Sequence, residues 1–127
     1  MRDILFRGKC LTEKAWIYGD LLRVKKDKPA IITEDYGEMR LWHAKPETVG
    51  QYSGLKDKNG EMMFEGDIVT GLFVFGMSVK GVIGFEGGAF GVRWSRGNAI
   101  HFTPFTSTTN ITWEVIGNVH DNPEVME

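Results

Sequence analysis

Three histidines, one cysteine and one pair of carboxylates are the side chains of this sequence whose type and spacing bear on chemistry. His43, His101 and His120 stand far apart, and none has a partner at the i, i+4 or short-loop spacing that prearranges two metal ligands. Scattered histidines of this kind are ordinarily surface or hydrogen-bonded residues. Cys10 is the sole cysteine, which excludes a disulfide within the chain and a Cys-rich zinc site. Lys9 beside it favours a thiolate, but a lone Cys next to Leu11 is more often inert. Glu65 and Asp67 would share one face of a strand, and carboxylates roughly 5–10 Å apart serve hydrolases. The plainer reading of Glu65-Gly66-Asp67 is that Asp67 bonds nearby backbone amides and fixes the turn into the following strands. Gly81, Gly84, Gly87 and Gly88 are irregularly spaced and no helix follows them, so they do not form a phosphate loop. The expectation is a chain with no catalytic residue, no metal and no cofactor, and hence no enzyme.

Binding is the better-supported class. Arg23, Lys25, Lys26 and Lys28 interleave with Val24 and follow Trp16 and Tyr18, a pattern in which cations touch phosphates while aromatics stack on bases. Asp20 and Asp27 lie in the same stretch, so the plain reading is a solvated, charged turn. Fifteen Lys and Arg against 17 Asp and Glu leave a net charge of −2, short of the basic excess of a dedicated nucleic-acid binder. Residues 1–63 carry 12 basic and 10 acidic side chains, 64–119 carry 3 and 4, and 120–127 carry 0 and 3. The C-terminal half therefore has few phosphate donors. Phe73, Phe75 and Met77 crowd the tip of one predicted hairpin, with Trp94, Phe102, Phe105 and Trp113 close by in sequence. Exposed aromatic and Met side chains favour interfaces, so Phe73, Phe75 and Met77 are the expected contacts of a homo-oligomer. The competing reading is that the protein's own N-terminal lobe covers both faces of that hairpin.

The elements that must position these residues read as strands. No window of a dozen residues carries a helical stripe, and short β-like runs alternate with turn residues. Residues 4–9, 15–18 and 21–24 form a meander with Gly19-Asp20 as a turn. Residues 30–33 and 39–43 follow as strands, and Pro46 to Val49 offers one helical turn. Asn59-Gly60 supplies the left-handed pair of a tight hairpin spanning 52–64. Five further strands fill 67–118, opened by Asp67-Ile68-Val69 and ended by Ile111 to Asn118. Sixteen glycines in 127 residues are nearly double the ordinary share; Gly81, Gly84 and Gly91 fall within strands, where glycine marks a bend. No run approaches the ~20 apolar residues of a membrane span. The opening residues lack a signal peptide's apolar stretch of ~7–15 residues, so a cytoplasmic location is expected.

Residues 48–61, Thr-Val-Gly-Gln-Tyr-Ser-Gly-Leu-Lys-Asp-Lys-Asn-Gly-Glu, continuing through Phe64-Glu65-Gly66-Asp67-Ile68-Val69, resemble the signature of the YopX family. Arg2 with Phe6-Arg7-Gly8 looks like the family's start, and residues 114–124, Glu-Val-Ile-Gly-Asn-Val-His-Asp-Asn-Pro-Glu, look like its end. The resemblance implies a protein encoded by a bacteriophage or prophage of a bacterial host, with an SH3-type barrel in its fold. It carries over no catalytic residue. The combined expectation is a mainly β chain with little helix. It comprises an N-terminal β-rich lobe (1–63), an SH3-like small barrel (64–119) and an acidic tail (120–127). The expected role is a phage accessory protein acting as an oligomeric interaction module whose partner is a phage or host protein. The alternative is a weak nucleic-acid-binding accessory of phage replication or gene regulation, using Arg23, Lys25, Lys26 and Lys28.

Overall fold

Alternating side chains and frequent turn residues make strands wherever each strand finds a neighbour to bond, and the architecture follows from those pairings. A computed structural model of the chain describes residues 3–73, 76–105 and 111–126. It divides into two units, 1–54 and 55–127.

The N-terminal unit contains β1 (Phe6–Lys9), β2 (Trp16–Leu22), β3 (Ala30–Asp35), β4 (Glu38–His43) and most of β5 (Gly50–Lys56), in the spatial order β4-β3-β2-β1-β5. Neighbouring strands of this sheet run antiparallel, with Phe6 opposite Gly19 and Gln51, and Ile32 opposite Asp20 and Leu41. Gly19-Asp20 is therefore the middle of one strand rather than a turn. Tertiary pairing overrides the local preference there, because Gly19 lets the backbone of β3 come close over β2. Ile31, Ala30, Ala44 and Cys10 are buried and form a core of mostly small side chains. The expected helical turn is a short 3-10 segment, Pro46–Thr48. It is pinned by Thr48, whose hydroxyl oxygen accepts the Lys9 amide at 2.8 Å and whose hydroxyl donates to the Lys45 carbonyl at 2.7 Å. A single bridge from Cys10 to Ala44 ties the end of β1 to the residue after β4, with the Leu11 amide donating to the His43 carbonyl at 3.0 Å.

The C-terminal unit contains β6 (Met62–Phe64), β7 (Asp67–Leu72), β8 (Ser78–Glu86), β9 (Ala89–Arg96), β10 (Ala99–Pro104) and β11 (Thr112–Asn118). The five strands between 67 and 118 form one antiparallel sheet in the order β10-β9-β8-β7-β11. This is a four-strand meander whose fifth strand returns to pair with the first. Its ladders leave β10 and β11 as two open ends, so the sheet is not a barrel closed by hydrogen bonds. Alternation along β9 sends Val92 and Trp94 inward, where they meet Met63, Val69, Phe73, Ile83 and Trp113. Gly71 faces Trp113 across the β7–β11 ladder, and a Cβ at Gly71 would collide with the indole ring. The missing side chain is what admits a ring of that size into so thin a sheet core. A register shift between Val115 and Gly117 adds a bulge to β11, which raises local twist. Among the described residues helix is confined to the two short 3-10 segments Pro46–Thr48 and Pro123–Met126. Among the described residues no helix is long and apolar enough to cross a membrane.

Candidate functional site

Of the expected oligomer contacts, the two that lie among the described residues, Phe73 and Met77, pack toward the core. Phe73 is 7% exposed and belongs to the core of the C-terminal unit, its ring 5.6 Å from that of Trp94. Met77 is half-buried against the same core, and its sulfur accepts a bond from Arg96 Nη1. Phe75 lies outside the described residues. Val69, Gly71 and Phe73 face the core of the C-terminal unit, while Leu72 is turned to solvent. Trp94 and Trp113 join Phe73 in that core, with Phe105 packed against it. Trp94 is held by Nε1 donating to the Thr103 hydroxyl at 2.9 Å, and Phe105 lies edge-on to Trp113.

Arg23, Lys25, Lys26 and Lys28 are gathered on the β2–β3 connection, all exposed, with Lys28 N–H closing on the Lys25 carbonyl at 3.1 Å. The aromatics expected to work with them are placed otherwise. The β1–β2 register sets Lys9 beside Trp16 and Arg7 beside Tyr18, and the Arg7 guanidinium lies 4.6 Å from the centroid of the Trp16 ring. Trp16 thus takes its cation from β1, whereas Tyr18 is 46% exposed.

The chemistry-bearing residues remain apart. His101 stacks on Trp94 at 4.4 Å, and His43 is exposed at the end of β4. Among the described residues no group of three or more His, Cys, Asp or Glu is placed to hold a metal. Cys10 is buried, and its thiol lies below the usual range through the Thr12 hydroxyl at 3.4 Å and the backbone around Thr12 and Glu13. Asp67 does what the turn reading asked of it, since its buried carboxylate accepts the Phe64 amide at 2.8 Å.

Asp57 is the residue that sequence reasoning missed. Its carboxylate accepts three backbone amides, Asn59 at 2.8 Å and Glu61 at 2.9 Å on Oδ1 and Val115 at 2.9 Å on Oδ2. Burial works to raise this carboxyl, but the amides of Val115, Glu61 and Asn59 outweigh it with help from Lys58, and the group titrates below the ordinary carboxylate range. The signal was in the chain, because an Asp two residues before Asn-Gly is an Asx-turn donor of geometry. It also changes the turn. Gly60 has φ +82°, while Asn59 is not left-handed, so the 52–64 hairpin is as expected but is not closed by a left-handed pair. A similar clasp closes the C-terminal end. Asn118 Oδ1 accepts the amides of His120 and Asp121, and Asn122 returns its own amide to the Asn118 carbonyl. The YopX family model matches residues 5–127 under the description YopX protein.

The chain belongs to the YopX family. The crystal structure of protein EF1440 from Enterococcus faecalis is similar over 100% of both chains, with a TM-score of 0.55 at 22% identity, a likeness of fold. Among curated proteins none matches the chain. In this YopX-family chain the stretches that carry the resemblance contain the Asp57 hairpin, the Gly66-Asp67 turn and the Asn118–Asn122 clasp, so much of the signature serves the fold.

Two surfaces among the described residues of this YopX-family chain are candidates for contact. One is a cleft of about 360 Å³ in the C-terminal unit, walled by Leu55, Met63, Phe105 and Trp113, with Lys56 and Lys58 at its rim. Lys58 faces Glu114 at 3.6 Å. The other is β4. It ends the N-terminal sheet, and it exposes Met39 at 76% and Leu41 at 51% on the sheet face that also carries exposed Tyr18 and Leu22. Edge strands are ordinarily blunted by Pro, Lys, a bulge or a cover. β4 has no Pro or Lys, pairs with β3 without a bulge from end to end, and is exposed at five of its six residues.

Proposed function

We propose that this YopX-family chain is a non-enzymatic, self-associating protein-interaction module, a phage or prophage accessory protein working in the cytoplasm of a bacterial host. The observation that carries the reading is the edge strand β4, with apolar side chains exposed at Met39 and Leu41, where among the described residues the strand pairs with β3 alone. An exposed strand edge with an apolar face is a template for a further strand. The contact expected at Phe73, Phe75 and Met77 is thereby moved to the N-terminal unit, since Phe73 is a core residue. We further propose that the C-terminal sheet curls as an SH3-like barrel. The order β10-β9-β8-β7-β11, the bulge in β11 and a core on one face all support that shape. Light scattering on the purified protein across micromolar concentrations tests the module; an oligomer is expected, and a strict monomer throughout refutes self-association.

A second reading rests on the four exposed cations at Arg23, Lys25, Lys26 and Lys28. Binding there would make the protein a weak nucleic-acid accessory of phage replication or gene regulation. It predicts a shift of labelled single- or double-stranded DNA at low salt that disappears steeply as salt rises; no shift at low salt removes it.

A further inference from the structure

The β3–β4 hairpin fixes which backbone groups β4 offers. Tyr36 and Gly37 form a two-residue turn with φ +52° and +81° closing on the pair Asp35/Glu38, the left-handed turn of a tight hairpin. The closing pair is hydrogen-bonded and the ladder alternates from there. Glu38, Arg40 and Trp42 therefore turn their amides and carbonyls toward β3, and Met39, Leu41 and His43 turn theirs away. Two bonds agree with that phase: the Ala44 amide reaches Pro29 on the β3 side, and the His43 carbonyl accepts Leu11 on the other. The Leu11 bond occupies the His43 end of the edge, which leaves Met39 and Leu41.

A second copy of this strand pairs antiparallel about a two-fold axis, so opposed residues lie on the same face and three registers compete. Centring on Leu41 runs the incoming strand into the segment seated on His43. Centring on Arg40 sets Arg40 against its own copy, and like charges directly opposite are destabilising. Centring on Met39 sets Met39 against Met39, the two residues exchanging both backbone bonds. It also sets Glu38 against the second copy's Arg40, twice by symmetry. Both charged side chains are exposed, and Arg40 Nε lies 4.0 Å from the Asp35 carboxylate. We infer that the occupant of the β4 edge is a second copy of this chain, paired antiparallel about Met39 with reciprocal Glu38–Arg40 contacts. The inference rests on the self-association proposed above and names its interface.

Charge exchange tests it. Glu38→Arg and Arg40→Glu singly place like charges opposite one another and are expected to raise the dimer dissociation constant about tenfold or more, a change of about 1.4 kcal/mol. The double variant restores the pairing and returns the constant to within about threefold of wild type, an amount of the order of thermal energy. In a Cys10→Ala background, Met39→Cys is expected to form an intermolecular disulfide on mild oxidation, because opposed Cα atoms of such a pair lie about 5.5 Å apart. Leu41→Cys, which faces Gly37 in this register, is expected to stay reduced. A wild-type oligomer that ignores both single reversals, or cross-links at position 41 instead of 39, overturns this interface and leaves the module standing. A wild type that is monomeric across the range overturns both. Far-UV circular dichroism verifies that each variant is folded, and the cross-linking decides the register should a charge variant fail to fold.

Discussion

Removing the Asp57 carboxylate should unclasp the 52–64 hairpin from β11. Asp57 is 8% exposed and its carboxylate accepts three amide bonds of 2.8–2.9 Å. A hydrogen bond to a charged group contributes about 1.5–3 kcal/mol net. The Asn59 and Glu61 amides sit on an exposed turn where water replaces the carboxylate, whereas the Val115 amide lies on a half-buried strand. Asp57→Ala is therefore expected to cost about 3–4 kcal/mol. Asp57→Asn keeps one acceptor but turns an NH₂ toward the Val115 N–H, for a loss of about 2 kcal/mol. In equilibrium urea unfolding at a slope of roughly 2 kcal/mol/M, the Ala variant moves the midpoint by about 1.5–2 M. The pH dependence has a fixed sign. The carboxyl is depressed in the folded protein, so the unfolded chain binds the proton first as pH falls. Its contribution is complete above the unfolded value of about 3.9 and is lost as pH drops through the lower folded value. Wild type should lose that part of its acid stability in this window, and Asp57→Asn should not. An Ala variant within about 1 kcal/mol of wild type, or an Asn variant with the wild-type acid profile, refutes the clasp.

Other variants probe the remaining structure. Gly71→Ala drives a methyl into the Trp113 ring and should destabilise by about 1–3 kcal/mol, read as a lower melting temperature with altered tryptophan emission. Phe73→Asp buries a charge in the C-terminal core and should abolish cooperative unfolding, since such changes cost about 4–5 kcal/mol or more; a folded variant with only a weakened oligomer would restore the exposed-tip reading. Asn118→Ala removes the acceptor of two amides, at 3.0 and 2.9 Å. It should cost about 1–2 kcal/mol and speed hydrogen exchange at His120 and Asp121.

Strand content and the count of five strands between 67 and 118 were legible because period-2 alternation and turn residues are local signals. So was the site of the 52–64 hairpin. Its turn geometry was not, because Asn-Gly suits a left-handed pair as well as a turn ending in one left-handed glycine, and the side chain of Asp57, two residues earlier, decides between them. The Tyr36-Gly37 turn was hidden because a bulky residue seldom takes positive φ. Gly19-Asp20 has turn composition, yet both residues have strand partners distant in sequence. The candidate interface shows the same divide. Residues 39–43 read as a strand, but its position at the end of the sheet depends on the order β4-β3-β2-β1-β5, which no local pattern encodes. Phe73 illustrates the reverse error, since an aromatic side chain suits an interface as well as a core, and only the packing shows that the C-terminal unit's own core takes it in.

The tryptophans divide evenly between the units, and this supplies two built-in optical reporters. Trp16 and Trp42 are half-buried in the N-terminal unit, while Trp94 and Trp113 are walled into the core of the C-terminal one. A collisional quencher such as acrylamide reaches the first pair well before the second. With Trp16 and Trp42 replaced by Phe, emission follows only the C-terminal unit; with Trp94 and Trp113 replaced, only the N-terminal one. Native fluorescence can then tell whether the two units melt as one cooperative body or in succession, without any attached label.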